Sequence, residues 1–255
     1  MKKNMWILLC VLMLGQSGVW ANEVPKPPSQ KWSFSGAFGT YDRPSVRRGL
    51  QVYREVCAAC HGMNHLRYEK LKALGFTESD VKAIAAEYEV AGTVADDGQP
   101  TKRKAEPKDF FAHPFPTEAA AREANNGAFP VDLSMVVKAR PHGPDYVYGL
   151  LTGYTQMPAG MHMASGMHYN KYFPGNQIAM APPLISDGQV TYPDGTKATI
   201  HQMAHDVVTF LAWASEPEME KRKHMGVVVL IFLGLFTVMM GVLTRRIWWN
   251  VKHPS

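Results

Sequence analysis

Cysteine is scarce in this chain of 255 residues: Cys10, Cys57 and Cys60 are all it has. Two close thiols and one remote one cannot build a disulfide framework, and a structural zinc site would need further thiols that are not near them. Charge is sparse as well, at 19% of residues, and it is unevenly placed. The chain totals +5, yet residues 22–220 carry 19 Lys plus Arg against 22 Asp plus Glu, a net of −3. The positive surplus therefore sits at the two ends, which argues against nucleic acid as a partner. A mildly acidic domain suits a basic soluble partner steered by the long-range field. Internal repeats are absent. At 46% apolar the chain suits one ordinary domain with additions at its ends.

Both additions are runs without charge. Lys2 and Lys3 precede the apolar run Met5 to Leu14, and Val19-Trp20-Ala21 supplies a small-residue cleavage site. This predicts a bacterial secretory signal peptide over residues 1–21, cut after Ala21, with Cys10 lost on processing. A mitochondrial transit peptide would be Arg-rich and amphipathic. Met225 to Leu243 is the second run, roughly 28 Å long as a helix and close to the thickness of a bilayer core. Arg245, Arg246 and Lys252 follow it, with Trp248 and Trp249 at interface depth, so residues 245–255 are expected on the cytoplasmic side. Lys221, Arg222 and Lys223 at the other end argue for the reverse, but an exported amino terminus overrides them. The expected organisation is a periplasmic domain over residues 22–220 and a single span over residues 221–244 of the inner membrane.

Cys57-Ala58-Ala59-Cys60-His61 reads C-x-x-C-H, the attachment signature of a c-type haem. On one helical turn the two thiols reach the two vinyl groups of a porphyrin, and the adjacent His lies under the iron. One covalent haem c is expected. Export fits it, because bacterial c-type haem is attached outside the cytoplasmic membrane.

Around the motif the elements are expected to be mainly helical. Ser45 is read as the cap of a helix running to about Val56, which delivers the motif at its end. Thr77-Glu78-Ser79-Asp80 resembles a capping box, with Val81, Ile84, Ala85 and Tyr88 on one face behind it. Residues 92–116 read as a loop insertion, and Glu118 to Asn125 and Asp145 to Leu151 as short helices. Residues 153–195 are dense in Gly, Pro and Met without a steady period, the mark of a functional loop. Asp194-Gly195 predicts a hairpin turn between Val190 and Thr199. Thr199 then caps the last soluble helix, whose stripe is Ile200, Met203, Val207, Leu211 and Ala214. The acidic residues Glu78, Asp80, Glu87, Glu89, Asp96 and Asp97 form either a docking patch or a solvated face.

A haem that only carries electrons needs its sixth position filled, and Met opposite His raises the potential. Two methionines sit beside stiffening prolines, Met157 in Gln-Met-Pro and Met180 in Ala-Met-Ala-Pro-Pro, and local chemistry leaves the choice open. Met161, Met163 and Met167 look like soft filling. His201 and His205, at i and i+4, could hold a metal or be exposed polar surface.

Several segments in order resemble one family: Arg47-Arg48-Gly49-Leu50-Gln51-Val52-Tyr53, the haem motif, Asn125-Asn126-Gly127-Ala128, Leu150-Leu151-Thr152-Gly153-Tyr154, Tyr172-Phe173-Pro174-Gly175, Met180-Ala181-Pro182-Pro183 and Ala214-Ser215-Glu216-Pro217-Glu218. They are similar to the cytochrome c1 family, the haem subunits of ubiquinol–cytochrome c reductase (the cytochrome bc1 complex), from about Trp32 to the membrane helix. The resemblance implies a mainly α, class I cytochrome c-like domain with long loop insertions and one C-terminal transmembrane helix. It implies thioethers at Cys57 and Cys60, axial ligands His61 and Met180, and Arg140 on a haem propionate, with Tyr146 and Asn125 nearby. The implied role is one-electron relay, from the Rieske iron–sulfur protein to a soluble or membrane-bound cytochrome c. Quinol chemistry then falls to cytochrome b and not to a catalytic residue here, within a dimeric complex. The chain departs from some relatives in having no second cysteine pair, so packing and prolines must brace its ligand loop. A stand-alone carrier would differ by purifying without cytochrome b, and a haem enzyme or gas sensor by rapid carbon monoxide binding.

Overall fold

The computed structural model describes residues 25–94 and 100–253. The expected signal peptide with Cys10, and the acidic residues Asp96 and Asp97, lie outside the described residues. The architecture is mainly helical, as expected. Helix α1 spans Arg43–Val52 and runs into a widened π turn at Tyr53–Cys57, where the Ala58 amide reaches the Tyr53 carbonyl at 2.8 Å. A 3-10 helix follows at Tyr68–Leu74, then α2 at Glu78–Ala86, α3 at Glu118–Ala124, α4 at Val136–Ala139 and α5 at Pro144–Thr152. The chain ends in α6, Ile200–Ser215, and α7, Met219–Lys252.

The frame is the crossing of α1 on α6. Gly49 lets the two backbones touch: a Cβ there would fall within the van der Waals radius of the Asp206 carbonyl and 2.7 Å from Phe210 Cβ. Asp206 is fully buried at that crossing. It accepts hydrogen bonds from Ser45 Oγ, from Arg48 Nε at 2.8 Å and Nη2 at 3.0 Å, and from Gln202 Nε2 at 3.1 Å. A buried carboxylate persists only when its charge and lone pairs are met in this way. Trp213 of α6 stacks on Phe210, which meets Tyr53; Tyr53 in turn meets Phe111 and so Tyr68, giving an aromatic core behind the haem motif.

Three sequence expectations change. Ser45 does not cap α1. The helix starts two residues earlier, at Arg43 with Pro44 in its first turn, and the Ser45 hydroxyl is spent on Asp206. Residues 92–116 are not a loop insertion throughout. Strand β1, Glu89–Val94, pairs antiparallel with β2, Pro100–Lys104, and the chain then returns onto the core through Tyr68 N to Asp109 O (3.1 Å) and Phe111 N to Leu66 O (2.9 Å). The turn at Asp194-Gly195 forms, with Gly195 N on Tyr192 O at 3.2 Å, but no strands flank it. Val190, Tyr192 and Ala198 are instead each buried in the core. The caps at Thr77 and Thr199 form as expected, the first as a complete capping box.

Between α5 and α6 the long loop is clipped by β3, His168–Tyr169, against β4, Gln177–Ile178. Buried Asn170 organises it. Its Nδ2 donates to Leu150 O at 2.7 Å and its Oδ1 accepts from Tyr172 N at 3.0 Å. Packing and hydrogen bonds thus brace this loop.

Helix α7 is unbroken from Met219 to Lys252, apolar enough over Met219–Trp249 to cross a membrane, and its most apolar window is not buried against the rest of the chain. Its base is gripped by ion pairs. Lys138 Nζ meets Glu216 at 2.6 Å, Lys70 Nζ meets Glu218 at 3.3 Å and Arg43 Nη2 meets Glu220 at 2.7 Å, while Arg222 also pairs with Glu216.

Candidate haem site

The haem motif sits where the π turn unwinds. Cys60 N and His61 N both return to the Cys57 carbonyl, at 3.1 and 2.9 Å, so the five residues form one compact turn with both thiols half-buried and free. Tyr53 holds that turn from below, its hydroxyl donating to His61 O at 3.0 Å. The segment after Asn125 runs alongside: Leu133 N donates to Gly62 O at 3.0 Å, and Asn64 N to Asp132 Oδ2 at 2.7 Å.

The same segment orients the histidine. His61 Nδ1 lies 2.7 Å from the Val131 carbonyl. A carbonyl only accepts, so Nδ1 carries the proton and Nε2 keeps its lone pair. Burial holds this imidazole below its usual range, which keeps it neutral at pH 7. Burial also pushes the Cys57 thiol up to about 12, with Cys60 adding to the effect. Phe129, Val131 and Met135 of the flanking segment expose 39–43% of their surface, an apolar wall on the segment that holds the His61 ring. Two thiols, an imidazole with a free nitrogen and an apolar wall are a donor set and lining that fit a covalently held haem.

On the ligand loop, the Tyr154 hydroxyl donates to the Met180 carbonyl at 3.0 Å, and Met180 is half-buried. Met157 lies in an exposed stretch and is itself 41% exposed. Tyr154 is pushed up by burial first and by Tyr146 second. Tyr146 is likewise raised by burial, with nearby Arg140 opposing. Arg140 itself is exposed at the end of α4. Tyr154 thus touches Met180 directly, while Tyr146 is linked to Tyr154 and to Arg140 through charge alone. Asn125 is engaged differently: it closes α3, its Nδ2 donating to Ala121 O at 2.7 Å. Sequence reasoning missed two positioning groups, the Val131 carbonyl and the Tyr154 hydroxyl. A backbone carbonyl carries no sequence signal, and Tyr154 was visible only as part of a resembling segment.

The other candidates resolve into structure. His205 stacks on Trp32 with ring centroids 4.7 Å apart, and His201 Nδ1 meets the Tyr148 hydroxyl at 2.9 Å. No group of three or more metal-binding side chains exists among the described residues. Of the acidic cluster, Asp80 is spent on the capping box, and Glu78, Glu87 and Glu89 pair with Lys72, Arg54 and Lys102.

A c-type haem protein with one helix long and apolar enough for a membrane anchor is the class these features define. Residues 32–251 match the model of the Cytochrome C1 family. The chain is 46% identical over 240 residues to cytochrome c1 of Rhodospirillum rubrum, covering 88% of each. It is 48% identical over 224 residues to a mitochondrial cytochrome c1 heme protein of Solanum tuberosum, covering 88% of this chain and 85% of that one. A Bradyrhizobium diazoefficiens protein named cytochrome b/c1 is 43% identical over 245 residues, 88% of this chain and 36% of its own length. The chain belongs to the cytochrome c1 family, whose members carry a covalent c-type haem. Cys57 and Cys60 stand in the attachment motif that such a haem requires.

Proposed function

We propose that this chain is the electron-relay subunit of a bacterial cytochrome bc1 complex, with its haem held by Cys57 and Cys60 and ligated by His61 and Met180. The observation that carries the reading is the oriented His61: its Nδ1 is occupied by the Val131 carbonyl and its Nε2 is free, directly after the thiol pair. Bound there, the haem supplies a one-electron iron couple. Tyr154 steadies Met180 through its carbonyl, and Arg140 offers a guanidinium fork suited to a propionate. Tyr146 is linked to Tyr154 and to Arg140 through charge, while Asn125 contributes by fixing the end of α3. The protein thus sets the potential and presents a haem edge, and assigns no catalytic residue to itself.

Relatives named cytochrome b/c1 and, in Candida albicans, cytochrome b-c1 complex catalytic subunit support membership of such a complex. The electron donor is then the Rieske iron–sulfur protein and the acceptor a cytochrome c, with cytochrome b as neighbour in a dimeric complex of the respiratory or photosynthetic chain. Residues 22–220 form the haem domain in the periplasm, residues 221–244 the span and residues 245–255 the cytoplasmic tail.

A redox titration of the haem in membranes tests this reading on the parent, Met180→Leu and Met157→Leu. The expected outcome is a fall on the order of a few hundred millivolts in Met180→Leu alone. A fall in Met157→Leu instead would move the ligand, and no fall in either would favour an open sixth position.

A further inference from the structure

We propose that the loop from Trp32 to Tyr41 is a second membrane contact, and that Phe38 at its tip lies just beneath the lipid headgroups, where the acyl region begins, beside the anchor helix. The inference rests on the reading of α7 as a membrane anchor. Phe38 is 83% exposed, the highest value for a large apolar side chain among the described residues. It sits in ten consecutive uncharged residues, with Ser35, Gly36 and Ala37 also bare. One exposed apolar ring is ordinary on a protein surface; Phe38 stands out because its neutral loop is bonded to the base of α7.

The loop is built to hold its tip out. Ser35 N donates to Trp32 O and Thr40 N to Ser33 O, both at 3.1 Å. Gly39 closes it, since a Cβ there would lie 2.8 Å from the Phe34 carbonyl oxygen. Both ends are rooted in the domain, Trp32 Nε1 on Asp145 at 2.7 Å and the Tyr41 hydroxyl on Ala212 O at 3.0 Å.

Its height follows from its bonds to α7. Tyr41 N donates to Glu220 Oε1 at 2.8 Å, while Lys223 Nζ donates to Gly39 O at 3.0 Å and Phe34 O at 2.8 Å. The loop is thus bonded to α7 at Glu220 and again one turn later at Lys223, two residues before the uncharged run that begins at Met225. Phe38 is the next residue in that direction. The Lys223 ammonium is spent on two loop carbonyls rather than on a carboxylate. Aromatic rings favour the membrane interface. The bare apolar surface is one ring and its small neighbours, too little for a protein interface of roughly 800 Å² a side.

The test uses the full-length holoprotein in its own membranes, in three variants: Phe38→Cys, Ala37→Cys and Leu235→Cys. Each carries a nitroxide on the new thiol, since Cys57 and Cys60 are consumed by haem. Power saturation is read with oxygen and with Ni(II)–EDDA, each as the increase over nitrogen, which removes the haem's own contribution. The expected result is oxygen collisions exceeding those of the nickel complex at 37 and 38, and by more at 235. Nickel collisions exceeding oxygen at 37 and 38, with 235 in lipid, would overturn the contact and leave the anchor. Low collision with both reagents at 37 and 38 would place the tip against protein and overturn it too. Nickel access at 235 would overturn the anchor itself, and this inference with it.

Discussion

Gly49→Ala isolates the packing that fixes the haem-bearing helix. In a helix interior this change is worth about 1 kcal/mol in favour of the variant on propensity alone. The structure predicts the opposite sign. The added methyl meets Phe210 Cβ at 2.7 Å and overlaps the Asp206 carbonyl. Apolar carbons rest at roughly 3.5–4.0 Å, so α1 and α6 must part by about 1 Å. Neither side yields easily, because Asp206 O belongs to helix backbone and the Asp206 carboxylate is tied to Ser45 and Arg48. Overpacking of this kind costs about 1–3 kcal/mol, and strain on the buried ion pair adds to it, so a net loss of about 2 kcal/mol is expected. For a domain of this size that lowers Tm by roughly 4–8 °C. The assay is thermal unfolding of the solubilised holoprotein, followed by circular dichroism and separately by haem absorbance. The two traces should shift together, because Phe210 reaches His61 through Tyr53. An unchanged or raised Tm would refute the reasoning, since propensity would then have won and the crossing would be loose.

Asp206→Ala strands Arg48 and Ser45 and should cost about 3–5 kcal/mol, with Asp206→Asn clearly milder; chemical denaturation of both variants checks the order. Glu216 is held at about 2 against an ordinary 4.5, by Arg222 first and then Lys138. A depressed carboxylate stabilises the fold above its unfolded pKa and loses that contribution as pH falls toward 2. Glu216→Gln should therefore lower Tm at pH 6 and converge on the parent near pH 2, with a difference of at most about 3 kcal/mol; parallel curves would refute it. Tyr154→Phe removes the hydrogen bond to the Met180 carbonyl, costs about 1 kcal/mol and should speed carbon monoxide binding to the reduced protein without exposing Met157 as a ligand.

Where the controlling chemistry is local, the sequence already shows it. The thiol pair and His61 work within one turn, and the caps at Thr77 and Thr199 act over three residues, so both were legible. Ser45 shows the limit. It has the composition of a cap, but its hydroxyl goes to Asp206, 161 residues away, and only the α1–α6 crossing reveals that. The β1–β2 pair carries no readable apolar alternation, because Gly92 interrupts the first strand and Lys102-Arg103-Lys104 charge the second. The hairpin expected between Val190 and Thr199 fails for the opposite reason: Val190, Tyr192 and Ala198 are each buried by tertiary packing rather than by strand pairing. At the site, nothing local selected Met180 over Met157. The resemblance did, and the structure adds a physical preference, a carbonyl held by Tyr154 on one and exposure on the other. Glu216-Pro217-Glu218 was likewise only a piece of resemblance. In the fold these glutamates, with Glu220, bind cations from α1, the 3-10 helix, α4 and α7 itself. Exposed pairs are weak one at a time, but three of these, from α1, the 3-10 helix and α4, converge on residues 216–220 and fix the direction in which α7 leaves the domain.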